Sequence, residues 1–192
     1  MVQKDYEANL ETTIAYMRQD QKRDAVSSLK TALSQVPAED KVADNNAYLK
    51  ILALSARFTM EDGDYTKASY YIGEGLKLKR FYADFLFLNT LIFKVLHKYG
   101  DMLTSIIGYL ISVDLPDVNS YGYDFVNDAA IQEMLNVYLP LAYTNTQNHE
   151  KILEVIEGTV IKMKEVTSGQ YIESALNAMR TIDNSDIDHR AN

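Results

Sequence analysis

Residues 46–112 contain two apolar helical stretches, each of which ends at a Gly-Asp step and is followed by a second periodic stretch. From Asn46 to Met60, apolar residues recur every three or four positions, as they do on the inner face of an α-helix. Gly63 supplies the positive φ that often ends a helix, and Asp64 is suited to cap the next helix. The pattern predicts consecutive antiparallel helix pairs.

Helical periodicity extends over most of the 192 residues. No stretch alternates polar and apolar residues with a period of two between turn residues, so we expect an all-α fold of eight or nine helices without a sheet. Residues 1–182 are expected to form one domain. Its parts are helix pairs at about 6–37, 46–79, 81–112 and 129–166 and a capping helix at 170–182, before a polar tail at 183–192.

Two irregular features interrupt this pattern. Residues 113–125 combine Pro, Asn, Ser and Gly, and they are predicted to form the longest loop, which is often a functional segment. Pro140 is expected to kink the helix at 129–143, since proline lacks the backbone N–H group that a helix uses.

The predicted pairs share three classes of inward residues when the third turn is placed at Tyr99-Gly100-Asp101. Small residues in the first and third classes let paired helices approach, and a larger residue in the second class fills the gap between them. The classes are Ala25, Ala68 and Ser105, then Leu29, Ile72 and Tyr109, then Ala32, Gly75 and Ser112, with Ile152, Ile156 and Thr159 as approximate counterparts in the fourth pair.

This arrangement resembles the tetratricopeptide-repeat (TPR) family in Gly63-Asp64-Tyr65, in Gly100-Asp101 and in the three classes. The class spacings of 43 and 37 residues compare with the roughly 34 of that family. The resemblance implies a short TPR-like solenoid whose first helices line a concave, peptide-binding surface. The Lys and Asn residues with which some members grip a terminal carboxylate are replaced by Leu10, Ile14 and Leu54. A generic antiparallel helical bundle is the alternative.

A shorter segment is similar to YfdX-type periplasmic helical proteins. It comprises Arg18-Gln19-Asp20-Gln21-Lys22-Arg23-Asp24-Ala25 followed by Ser28-Leu29-Lys30-Thr31-Ala32. That likeness implies a periplasmic stress-type protein as a further alternative. The absence of cysteine fits either compartment, and the start of the chain has no apolar signal region, so we favour the cytoplasm while a trimmed periplasmic or secreted chain stays open.

Two predicted first helices carry basic strips, although the net charge of −8 disfavours nucleic-acid binding. The strips contain four permanent cations and no carboxylate. If they face each other across a groove, they would suit an acidic peptide of a partner protein. The bland alternative is ordinary solvated surface. The strip residues are Asn46, Lys50 and Arg57 on one helix and Thr90, Lys94, His97 and Lys98 on the other.

No residue set identifies a reaction, a cofactor or a metal. The three histidines lie far apart without helical metal-ligand spacing, and Asp186–His189 in the tail is interpreted as solvated polar surface. No nucleophile motif of a hydrolase occurs. The sequence therefore favours a non-catalytic protein-interaction or scaffold module, and a regulator that senses a peptide or small molecule is the alternative.

Overall fold

A computed structural model describes residues 4–116 and 122–190 of the protein, with side chains described as far as residue 185. Within these residues every regular element is helical and no strand occurs, which confirms the all-α prediction. That part of the chain has nine helices when residues 128–144 are counted as one. None of the helices described is both long and apolar enough to cross a membrane.

The helices follow one another as packed pairs, with α1 on α2, α3 on α4 and α5 on α6. A 3₁₀ turn, Ala38–Asp40, precedes the third helix, and a π-helical turn, Met134–Tyr138, joins the seventh and eighth. The helices are α1 (Asp5–Arg18), α2 (Lys22–Gln35), α3 (Asn46–Glu61), α4 (Tyr65–Leu78), α5 (Ala83–Val95), α6 (Tyr99–Asp114), α7 (Asp128–Glu133), α8 (Leu139–Thr144), α9 (His149–Lys164) and α10 (Gln170–Arg190).

The chain divides into two compact units, Met1–Arg80 and Phe81–Asn192, which we call unit 1 and unit 2. Unit 1 contains α1 to α4, and α2 packs there on α3. Unit 2 contains α5 to α10, and α10 packs there on α6, α8 and α9. Spatial division does not measure whether the units fold together, so the single domain over 1–182 stays a prediction.

Three helix pairs turn in the same way. A residue in the left-handed backbone conformation follows the first helix of each pair. These residues are Asp20 after α1, Gly63 after α3 and His97 after α5. The next N–H group then bonds to a carbonyl five residues back, which is the Schellman arrangement that satisfies a helix C-terminus. These bonds join Gln21 N to Tyr16 O, Asp64 N to Thr59 O and Lys98 N to Phe93 O, each at 2.9 Å.

The predicted third turn at Tyr99-Gly100-Asp101 is wrong. α6 begins at Tyr99, so Gly100 and Asp101 lie in its first turn. The left-handed position that glycine usually fills is held here by His97, with φ of 53°. The corrected spacing between the second and third turns, from Gly63 to His97, is 34 residues.

The correction changes which residues of the third pair are equivalent to those of the second. Counted from the corrected turn, Met102, Ile106 and Tyr109 of α6 correspond to the predicted classes, and all three are buried. Ser105 and Ser112 are also buried, but they occupy other positions. The small–large–small pattern of the first two pairs is therefore not shared by the third.

Pro140 interrupts its helix by widening a turn. Proline cannot donate the usual helical bond, and its ring crowds the preceding turn. The N–H group of Leu139 bonds to the carbonyl of Met134, five residues back, within the π-helical segment. π-Helical segments are rare and occur mostly as single turns inside α-helices, as here.

The predicted loop at 113–125 starts later than expected, because α6 continues to Asp114, and its C-terminal end is anchored. Asp84 in the first turn of α5 is fully buried, and its carboxylate accepts the N–H groups of Asp124 at 3.0 and 3.1 Å and of Phe125 at 2.9 Å. Phe125 stacks on Phe87 with ring centroids 4.3 Å apart. Residues 117–121 lie outside the described part of the chain.

The last two helices differ in detail from their predictions. Of the inward residues predicted in α9, Ile156 is buried, whereas Ile152 and Thr159 are half-buried. α10 continues to Arg190, so the predicted end at 182 is too early. Contacts made by Asp183, described below, help to explain why a polar segment remains helical.

Candidate binding groove

An open groove of about 470 Å³ lies between α6 and α9 in unit 2. Gly100, Leu103, Thr104 and Ile107 line it from α6. Their spacing of i, i+3, i+4 and i+7 places them on one face of that helix. Leu103 is buried and Ile107 is half-buried, so α6 supplies both floor and wall.

α9 supplies the opposite side of the groove through Lys151, Ile152, Val155 and Ile156. Ile156 is 4% exposed, whereas Val155 is 58% exposed. Covering exposed aliphatic surface releases about 25 cal/mol for each Å² removed from water. The groove therefore exposes apolar surface, and covering that surface contributes favourable free energy to the binding of another molecule.

The turn between α8 and α9 borders the groove through Thr146, Gln147 and Asn148, and His149 holds this turn in place. Nε2 of His149 lies 3.0 Å from the carbonyl oxygens of Tyr143 and Thr146. Because the carbonyl of Thr146 belongs to a lining residue, the imidazole fixes the border of the groove.

Asp183 ties the same cluster to α10. Its Oδ1 lies 2.7 Å from Nδ1 of His149, and its Oδ2 accepts the hydroxyl of Tyr143 at 2.7 Å. Burial and, next, the hydrogen bond to Asp183 raise the pKa of Tyr143 above its usual range. The hydroxyl therefore remains a donor at neutral pH. This cluster could not be predicted from the sequence, because 34 residues separate the His and Asp and because Asp183 lies in the segment predicted as a polar tail.

The predicted basic strip in unit 1 is less exposed than its pattern suggested. Asn46 is exposed, but Lys50 and Arg57 are half-buried. Nε of Arg57 lies 3.0 Å from Oε1 of Glu61, and Nζ of Lys22 lies 3.1 Å from the other oxygen of that carboxylate. The strip itself contains no carboxylate, but Glu61 lies directly beside it at Arg57.

In unit 2, the structure separates Thr90 from the rest of its predicted strip. Thr90 is fully buried and donates its hydroxyl to the carbonyl of Leu86. Lys94, His97 and Lys98 are exposed around the end of α5. Nζ of Lys94 lies 4.9 Å from the ring centroid of Tyr138, a cation–π contact. Since one strip lies in each unit, their meeting across a groove stays a prediction.

His, Asp and Glu residues are spread over the described part of the chain. No three His, Asp or Glu residues there are grouped so that they could hold an ion. The side chains of Asp186–His189, considered in the sequence analysis, lie outside the described residues.

Comparison of the chain with protein-family models, with curated protein sequences and with solved structures finds no significant match.

Proposed function

We propose that the protein is a non-catalytic interaction module that holds a short segment of a partner protein between α6 and α9. The observation that carries this proposal is the open aliphatic groove, in which Val155 remains 58% exposed beside other apolar lining residues. Clusters of exposed apolar side chains on a folded protein commonly mark binding surfaces.

The repeat-like turns support the same class of function. The 34 residues between Gly63 and His97 match the roughly 34-residue period of the tetratricopeptide family, in which stacked helix pairs bind peptides. The groove lies on second helices of the predicted pairs, however. The first helix α5 is buried throughout residues 83–88 and offers little open surface there. Lys94, His97 and Lys98 remain candidates for steering an acidic partner toward unit 2.

A charge placed in the groove tests this proposal. Val155→Glu should leave the chain folded, because the side chain is already largely exposed, and should abolish co-purification of the partner. Ile161→Glu is the matched control, since Ile161 is an aliphatic residue of the same helix, is 65% exposed and does not line the groove. Quantitative mass spectrometry of purified complexes and circular dichroism of both variants provide the measurements.

The two variants give opposite results under the proposal. A partner lost from Val155→Glu and retained by Ile161→Glu places binding in the groove. A partner retained by both folded variants shows that the groove is not the binding site.

A further inference from the structure

Lys151 is the only ionisable residue among the described residues that line the groove. It is exposed in the first turn of α9. Val155, Gly158 and Lys162 follow it at i+4, i+7 and i+11, so these residues form one straight stripe along the helix. The charge available to an occupant of the groove is therefore positive.

This local sign differs from the charge of unit 2. Unit 2 contains 15 of the 27 Asp and Glu residues but only 7 of the 19 Lys and Arg residues. Glu157 of α9 is engaged by Arg180 of α10, in a pair that does not line the groove. A single cation at an aliphatic groove in an acidic unit indicates the chemistry of the occupant more sharply than the net charge does.

Two helix starts lie at the groove, and their first turns also contain the carboxylates of Asp101 and Glu150, which do not line it. Gly100 lies in the first turn of α6 and Lys151 in the first turn of α9, and both residues line the groove. No side-chain capping bond is made by Lys98 at the start of α6 or by Asn148 at the start of α9. First-turn N–H groups carry partial positive charge and favour a nearby anion.

We infer that the groove binds an aliphatic peptide segment that carries an acidic side chain, with its carboxylate beside Lys151 and its aliphatic side chains against Ile107, Ile152 and Val155. This inference rests on the proposed function and adds the chemistry of the partner. The distance along α6 from Gly100 to Ile107 is about 10 Å at 1.5 Å per residue. An extended chain covers that distance with about three or four residues.

A displayed library of random heptapeptides between Gly-Ser linkers tests the inference without a known partner. The full chain is the bait, and peptides that also bind Val155→Glu are removed by counter-selection. We expect the remaining peptides to combine Leu, Ile or Val with Asp or Glu. Because the peptides have no free carboxyl terminus, the acidic group must come from a side chain.

Charge reversal at the lysine then separates the inference from the proposed function. Selection with Lys151→Glu should remove the preference for Asp and Glu, and binding of individual acidic peptides should weaken about tenfold as an attraction becomes a repulsion. Lys41→Glu makes the same change of net charge at an exposed residue of unit 1 and should leave both results unaltered.

The outcomes distinguish failure of the inference alone from failure of both claims. Aliphatic peptides selected without an acidic residue, or bound equally by the parent and Lys151→Glu, overturn the inference while the groove remains a binding site. Failure to enrich any peptide over Val155→Glu overturns both the inference and peptide binding in this groove.

Discussion

Unit 1 and unit 2 differ in net charge. Unit 1 contains 12 of the 19 Lys and Arg residues and 12 of the 27 Asp and Glu residues, so it is neutral and the net charge of −8 belongs to unit 2. Several cations of unit 1 pair with its own carboxylates. Among them, Lys22 of α2 lies 3.1 Å from Glu61 at the end of α3 and links adjacent helix pairs. Ion pairs also occur within unit 2, for example between Arg180 and Glu157, so the units differ in their excess of carboxylates rather than in how their charges pair.

The grooves of the two units differ correspondingly. Unit 1 has a groove of about 200 Å³ beside α2, α3 and α4, and charged residues of both signs line it, namely Lys30, Asp62, Asp64 and Lys67. The groove of unit 2 is larger and mainly aliphatic. Water hydrates charged side chains of either sign favourably, whereas aliphatic surface exposed to water costs free energy. This difference is the physical reason for placing function in unit 2.

Exposed apolar side chains follow the same division. Unit 1 exposes Val42 and Tyr70 among its large apolar residues, whereas unit 2 exposes six in the described part of the chain. These six are Val95, Leu96, Val137, Val155, Ile161 and Val166.

The largest stability effect should follow from removing the buried carboxylate of unit 2. Asp84→Ala leaves the N–H groups of Asp124 and Phe125 without this acceptor and should cost about 3 kcal/mol of unfolding free energy. The counterpart in unit 1 is Asn45→Ala, which removes the cap of α3 and should cost about 1 kcal/mol. Urea denaturation measures both losses, and hydrogen exchange should show faster opening at residues 122–127 in the Asp84 variant.

Equal losses for these two variants would contradict the view that unit 2 depends more strongly on one buried charge. Loss of stability without faster exchange at residues 122–127 would show that Asp84 acts elsewhere than on this segment.

Local features of the fold could be predicted from the sequence, whereas the hydrogen bonds from the 122–127 segment to Asp84 could not. Helical periodicity identifies α3, and Gly63 with Asp64 identifies its turn. Asp84, by contrast, is bound to groups 40 and 41 residues away, a pairing that spacing along a helix does not encode. The groove could not be predicted for the same reason, because α6 and α9 come together to line it only in the folded unit.

The second prediction concerns equivalent helix positions in the two units. Ala68 of α4 and Met102 of α6 are both fully buried at the same distance from their turns. Ala68→Leu should overpack the contact with α3 and cost roughly 1–3 kcal/mol, whereas Met102→Leu nearly conserves volume and should cost less than about 1.5 kcal/mol. Thermal and urea unfolding provide the comparison, with exposed Ala38→Leu as a near-neutral control.

If Ala68→Leu lost no more unfolding free energy than Ala38→Leu, Ala68 would not be closely packed against α3. The sequence alone did not predict the contrast between Ala68 and Met102, because the third turn was predicted at the wrong position. Gly100-Asp101 imitates the Gly63-Asp64 step, so the alignment assigned Ser105 rather than Met102 to the equivalent position.

The smallest predicted effect tests the turns themselves. Gly63 and His97 occupy the same left-handed position, with φ of 82° and 53°. Gly63→Ala should cost about 1 kcal/mol because a Cβ atom disfavours that conformation. Apart from Gly63 and its two chain neighbours, no heavy atom lies within 4 Å of the position that this Cβ would take, so the cost comes from the backbone.

His97→Ala should change stability by about 0 kcal/mol, because His97 already bears the backbone cost of a Cβ atom in this conformation. The substitution removes an exposed contact of 3.1 Å between Nδ1 and the Tyr99 hydroxyl, and such surface contacts contribute little. Urea unfolding of both alanine variants measures the difference. If His97→Ala lost as much stability as Gly63→Ala, the imidazole would have a structural role in unit 2 that glycine does not have in unit 1, and the two turns would be similar only in backbone geometry.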